Sequence, residues 1–308
     1  MNPLEQASKI VFETCLNTRP NETIGIITDS DRESLAKSFA TYRSDIAIHI
    51  TPIPDANGEE PPEEIAKAMK QYDVLLLITK KSLTHTKATH EASKNARIAS
   101  MPSITEETAK RTLAIDYAKL HTINTKLANL LTEGNQVTIT TDLGTDLTCS
   151  IKNRTAKPDT GILKKGMVGN LPAGEVFLAP VEGTTNGKLI IDASMAGIGK
   201  LDEPLTIEIK QGLVTKVNGK HAPQLEEKLT TNEHRNVAEF GIGTNPKAII
   251  TGSVLEDEKV LGTCHIAFGN NAFFGGTIDV PFHADGIITQ PTITVDDKTI
   301  MKSGKLQG

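Results

Sequence analysis

In the first half of the chain, short continuous apolar runs alternate with stretches that carry helical spacing. Thr23-Ile-Gly-Ile-Ile-Thr28 and Asp73-Val-Leu-Leu-Leu-Ile-Thr79 have the length and apolar character of buried strands, and Ile46-Ala-Ile-His-Ile-Thr51 and Arg97-Ile-Ala-Ser100 read as two more. Between them the pattern predicts helices over residues 3–17, from Ser30-Asp-Arg-Glu with its capping chemistry, from Pro61-Pro-Glu-Glu with proline and acids in the first turn, and over 86–95. A long helix is predicted over 106–131. Strands separated by helices imply a parallel sheet with right-handed crossovers.

Near Glu133-Gly134-Asn135 the pattern changes. Val137–Thr141 and Leu147–Ile151 alternate like two antiparallel strands joined across Asp142–Asp146, and short strands with glycine turns follow. All but four of the 24 glycines come after residue 160. The expected architecture is an α/β N-terminal domain with a parallel sheet over residues 1–133, followed by a mainly β (α+β) metal-binding domain over 134–308.

Composition narrows the function classes. The 308 residues are 38% hydrophobic, enough for two sizeable cores. A net charge of −5, with both signs interspersed, leaves no basic stripe for a phosphate backbone, so nucleic acid is not expected as a partner. The start lacks a basic segment followed by an apolar one, and no apolar run reaches membrane-spanning length, so a soluble, cytoplasmic protein is expected. Three widely spaced cysteines, Cys15, Cys149 and Cys264, argue for reduced thiols rather than a disulfide framework or a cysteine-based zinc site. Gly197-Ile-Gly199 lacks the third glycine and following helix of a dinucleotide fingerprint.

The candidate chemistry lies in the second half. His283-Ala-Asp285 has the spacing at which strand side chains share a face, so an imidazole and a carboxylate converge. Alone, such a pair is more often a surface couple, just as His265 alone would be a satisfied core histidine and Glu258 a solvated turn acid. Glu175 and Glu239 stand in apolar, glycine-flanked segments, where a carboxylate without a partner carries a heavy desolvation cost and a cation would relieve it. Two histidines with several carboxylates suit Zn, Co, Mn or Fe better than Ca or Mg.

Five segments in order, Leu171-Pro-Ala-Gly-Glu-Val-Phe177, Ala238-Glu-Phe-Gly-Ile-Gly-Thr-Asn-Pro246, Glu256-Asp-Glu-Lys followed by Cys264-His-Ile-Ala-Phe-Gly, and Pro281-Phe-His-Ala-Asp-Gly286, resemble the metallo-aminopeptidase family of aminopeptidases T, S and II. The resemblance implies two divalent ions (Zn, Co or Mn) held by Glu175, Glu239, Glu258, His265, His283 and Asp285. It also implies removal of N-terminal residues from short peptides, with Glu239 contacting the attacking water, and a homodimer. Members carry a tyrosine soon after the first histidine; here Phe268-Gly-Asn-Asn-Ala-Phe-Phe-Gly-Gly276 has none, with Asn270 or Asn271 as substitute donors or as turn residues. The same residues also resemble a related branch, the ring-cleaving dioxygenases of 2,5-dihydroxypyridine, in which His265, His283 and Asp285 would hold one non-haem Fe(II) for a small-molecule substrate. Because Glu175, Glu239 and Glu258 supply enough anionic ligand for two ions, the peptidase is the expectation. The dioxygenase and a non-catalytic metal-binding protein are the alternatives.

Overall fold

The computed structural model describes residues 2–307, which form two compact units. The first comprises residues up to His121 together with Asp159–Ala173; the second comprises Thr122–Pro158 together with the residues from Gly174 onward.

The first unit is built on a five-stranded parallel sheet in the order β2 (Ala47–Ile50), β1 (Ile24–Thr28), β3 (Val74–Ile78), β4 (Arg97–Ser100), β8 (Val168–Asn170). All residues of β1 and β3 are buried, as the apolar runs require of central strands in such a sheet. Their side chains join those of α3 (Glu63–Met69) and α4 (Lys87–Ser93) in one cluster with Ile27, Met69, Leu75, Leu77 and Ala92. The helix after β1 departs from expectation. α2 (Glu33–Ala40) starts with Arg32 at its cap position and no capping side chain, and the Asp31 carboxylate pairs with Lys80 instead. The single long helix predicted over 106–131 is two, α5 (Glu106–Thr112) and α6 (Tyr117–Glu133). The carboxylate of Asp116 accepts from Lys119 N–H at 3.0 Å and so starts a new helix.

The second unit is mainly antiparallel. An eight-stranded sheet runs β14 (Leu213–Asn218), β13 (Leu205–Lys210), β10 (Asn186–Ile191), β6 (Asp146–Ser150), β5 (Gln136–Thr140), β18 (Thr292–Val295), β19 (Lys298–Lys302), β20 (Lys305–Leu306). It contains the predicted hairpin, with Val137 opposite Cys149 and Ile139 opposite Leu147. A seven-stranded sheet runs β12 (Gly199–Lys200), β11 (Ser194–Met195), β17 (His283–Thr289), β16 (Thr263–Gly269), β15 (Val237–Gly243), β9 (Glu175–Leu178), β7 (Lys157–Asp159).

Alternation along four central strands of this second sheet separates core from chemistry. Val176, Leu178, Phe240, Ile242, Cys264, Ile266, Phe268, Ala284 and Ile288 enter one hydrophobic cluster with Val137, Ile139 and Leu147 of the other sheet. Full burial of each Val, Leu, Ile or Phe side chain among them contributes on the order of 1.5–3 kcal/mol. The intervening positions, Glu175, Glu239, His265, His283 and Asp285, therefore fall on the opposite face. Burial raises the thiols of Cys15 and Cys149 to about 12 and that of Cys264 higher still, and all three remain free. Among the described residues no helix is long and apolar enough to cross a membrane.

Candidate metal centre

Five of the six sequence-predicted ligands come from four adjacent strands, β9, β15, β16 and β17. Register brings them together: Glu239 lies opposite Ala267, which lies opposite Asp285, while His265 lies opposite Gly241 and Glu175 opposite Gly243. A bulge between Val237 and Glu239 adds a residue to β15 beside the site, a device that re-aims side chains at sheet positions of this kind. Small residues separate the polar ones, and at Gly241 the need is steric. A Cβ there would stand 2.0 Å from His265 Nε2 and 2.2 Å from its Cε1.

Glu239 is the hub. Its Oε1 is 3.4 Å from His265 Nε2 and its Oε2 is 3.3 Å from His283 Nε2; His283 Nε2 is also 3.4 Å from Asp285 Oδ1, and His265 Nε2 is 3.4 Å from Glu175 Oε2. Ligand atoms of Glu175, Glu239 and His265, and of Glu239, His283 and Asp285, lie within 4.8 Å of one another, so the cluster is able to hold a metal ion. His283 Nδ1 donates to the backbone carbonyl of Asn270 at 2.9 Å, which turns Nε2 toward the carboxylates, as in most histidine metal ligands. His265 and the carboxylates are buried, whereas the His283 side chain keeps 28% exposure and marks the solvent-facing side of the cluster.

The sixth predicted ligand, Glu258, reaches the same face from a turn. Of the three acids in Glu256-Asp-Glu258, two are structural: Glu256 accepts from Ile249 N–H, and Asp257 accepts from the N–H groups of Thr251 and Gly252. Glu258 follows the short helix α9 (Val254–Asp257) and meets a residue the sequence reading did not assign, Lys259. The Lys259 side chain is fully buried, with Nζ 2.7 Å from Glu175 Oε1 and 2.8 Å from Glu258 Oε1. The signal was present in the sequence, a lysine directly after the candidate ligand, but a charge in a Leu-Glu-Asp-Glu-Lys run reads as solvated.

The ionisation of the cluster follows from burial and crowding. Burial lifts the Glu258 carboxyl to about 8, against the pull of the Lys259 ammonium and reinforced by Glu175 and Asp285. Burial would depress His265, but the hydrogen bond with Glu239 and the charges of Glu175, Glu239 and Asp285 outweigh it and raise the imidazole to about 9. His283 goes up for the same reason, its burial outweighed by Asp285 and Glu239. Glu239 and Asp285 stay below their usual range: burial opposes this, and their histidine partners overcome it. The carboxylates thus create a local demand for positive charge that protons meet in the metal-free protein and that a cation meets better.

Asn270 and Asn271 are turn residues rather than free donors. The Asn270 amide donates to Asp279 Oδ1 and Val280 O, and that of Asn271 donates to Glu182 Oε1. Arg235, near Glu239 in sequence, pairs with Glu226. The segment after His265 instead supplies Phe274, whose ring centroid is 5.2 Å from that of His283 and 5.5 Å from that of Phe177, the latter edge-on.

The family model for 2,5-dihydroxypyridine 5,6-dioxygenase matches residues 6–308. Among solved structures, 2,5-dihydroxypyridine dioxygenase from Pseudomonas putida KT2440 superposes with a TM-score of 0.83 at 17% identity, covering 99% of this chain and 97% of that one. Wild-type AmpT from Thermus thermophilus superposes with a TM-score of 0.73 at 18% identity, covering 99% of each chain. No curated protein matches at the sequence level. The resemblance to the aminopeptidases therefore holds for the fold, while the expected activity, a hydrolase removing N-terminal residues from peptides, is overturned by the family match. With its family model spanning nearly the whole sequence, the chain belongs to the 2,5-dihydroxypyridine 5,6-dioxygenase family.

Proposed function

We propose that the protein is a mononuclear, non-haem Fe(II) dioxygenase that opens the ring of a hydroxylated N-heteroaromatic compound such as 2,5-dihydroxypyridine. The observation that carries this reading is the placement of His265, His283 and Asp285 on one face of the adjacent strands β16 and β17, in a chain of this family. Two histidines and one carboxylate are the donor set of non-haem iron oxygenases. When bound, iron(II) supplies the redox chemistry that lets a closed-shell aromatic ring react with dioxygen.

The remaining roles fall to the chain itself. Asn270 O, by accepting from His283 Nδ1, holds that ring so that Nε2 faces Glu239 and Asp285, where it would be free to ligate iron. Glu239 is held as a carboxylate between the two imidazoles and is the group positioned to accept the proton of a substrate hydroxyl as the ring binds. Phe274, seated against His283 and Phe177, offers an apolar aromatic edge on the exposed side of the cluster, suited to a flat ring. Both oxygen atoms enter the product, so no external reductant is needed. We place the enzyme in the cytoplasm as a homodimer acting on a small molecule.

The test is anaerobic loading of the purified chain with Fe(II), followed by addition of 2,5-dihydroxypyridine and oxygen. Oxygen uptake stoichiometric with loss of the ring absorbance, dependent on iron and abolished by Asp285→Ala, is the expected result. Iron retained at one per chain with no oxygen uptake on any hydroxylated pyridine tested would refute the reading.

A further inference from the structure

We propose that Lys259 is a built-in cation that ties up carboxylate oxygens a second ion would need, and that it restricts the cluster to one metal ion. The proposal rests on the one-ion reading above and deepens it. The predicted ligands form two overlapping triads that share Glu239, Glu175–Glu239–His265 and Glu239–His283–Asp285. The other oxygen of Glu175, Oε1, and Glu258 Oε1 both close on Lys259 Nζ, at 2.7 and 2.8 Å. A single positive centre bridging the two acids meets the charge demand that a second divalent ion would otherwise meet, at the distance that N–H···O bonding sets.

Burial makes the substitution durable. The Lys259 side chain has no exposure, and its two acceptors retain only 11% and 14%. Removing an ammonium from such a site without replacing its charge leaves two carboxylates desolvated and close together, an arrangement the fold does not tolerate cheaply. The main chain fixes the position as well: Lys259 N–H donates to Glu256 O at 3.1 Å, and Lys259 O accepts from Asn245 N–H at 2.8 Å, which ties the turn to the segment following β15. Glu175 is shared, with Oε1 on Lys259 and Oε2 3.4 Å from His265 Nε2, so the lysine also positions a carboxylate against an iron ligand. The residues that argued from sequence for two ions are thus partly committed to a lysine.

The experiment counts ions, with Mn(II) as the probe. Metal-free wild type, Lys259→Met and Lys259→Arg are equilibrated with Mn(II), and bound metal per chain is read by elemental analysis and by electron paramagnetic resonance, in which two ions a few ångströms apart couple. Wild type and Lys259→Arg are expected to bind one ion, and Lys259→Met two, with the coupled signal. One ion in folded Lys259→Met, or two in wild type, would overturn the proposal. Because Lys259→Met removes a buried charge and can fail to fold, Glu258→Gln in the wild-type background provides a second test. It is expected to keep one ion with affinity within threefold of wild type, and a tenfold loss would make Glu258 a ligand of that ion and overturn the proposal. One ion per chain without ring cleavage would sink the dioxygenase reading and leave the role of Lys259 standing.

Discussion

Alanine at position 241 tests the claim that β15 is kept bare to let His265 reach a metal ion. Gly241 faces the site and pairs directly opposite His265. Its φ is not in the left-handed region, so the backbone accepts alanine, and a side chain in a strand interior would ordinarily help. The added Cβ would stand 2.0 Å from His265 Nε2 where ordinary contact begins at 3.4 Å. The ring must retreat by about 1.4 Å, several times the roughly 0.2 Å latitude of a metal–ligand distance. It has little room to do so: His265 is fully buried, with Glu175 and Glu239 each 3.4 Å from the same nitrogen. Overpacking of this kind costs about 1–3 kcal/mol, and where the strain falls chiefly on the metal-bound arrangement it weakens binding roughly 10–100-fold. Gly241→Ala should therefore lower the melting temperature of the metal-free protein by several degrees and also lose Fe(II) or Mn(II) affinity by that factor, measured by competition with a chromophoric chelator. Metal affinity within threefold of wild type would refute the steric argument and remove His265 from the ion.

Two further outcomes follow from the electrostatics and the aromatic edge. In the metal-free protein His265 is raised to about 9, Glu258 to about 8, and His283 well above its usual value, so the folded state binds more protons than the unfolded chain and stability falls as pH rises. The His265 contribution is complete below about 6.5 and lost through about 9, and that of Glu258 is lost by about 8. Melting temperature without metal should drop between pH 6.5 and 9, while metal affinity should rise over the same range because binding displaces those protons; a flat metal-free profile would contradict the assignment. Phe274→Ala should raise KM for a hydroxylated pyridine roughly 3–10-fold while leaving metal affinity and kcat near wild type, and a change confined to kcat would show that the ring does not contact substrate.

Local patterns in the chain were sufficient for the elements whose geometry is local. The apolar runs of β1 and β3, the hairpin of β5 and β6, and the shared face of His283 and Asp285 all follow from strand periodicity, which the backbone imposes without reference to distant residues. The division at Asp116 into α5 and α6 was missed because one capping carboxylate outweighed an otherwise helical pattern, and β8 was missed because three residues, Val168–Asn170, carry no period and become a strand only by pairing with β4. Glu175, Glu239 and His265 were legible as polar residues in apolar settings, whereas Glu258, His283 and Asp285 stood out only through the ordered motifs around them. Their arrangement depended on tertiary structure, because strand order decides which faces adjoin. Glu175, Glu239, His265 and Asp285 meet only because β9, β15, β16 and β17 are neighbours, and Gly241 matters only because His265 lies opposite. Lys259 marks the limit most clearly. In sequence it is the end of a solvated charge run; in the fold it is a buried ammonium between two acids, and the charge balance that bears on one ion against two depends on that long-range placement.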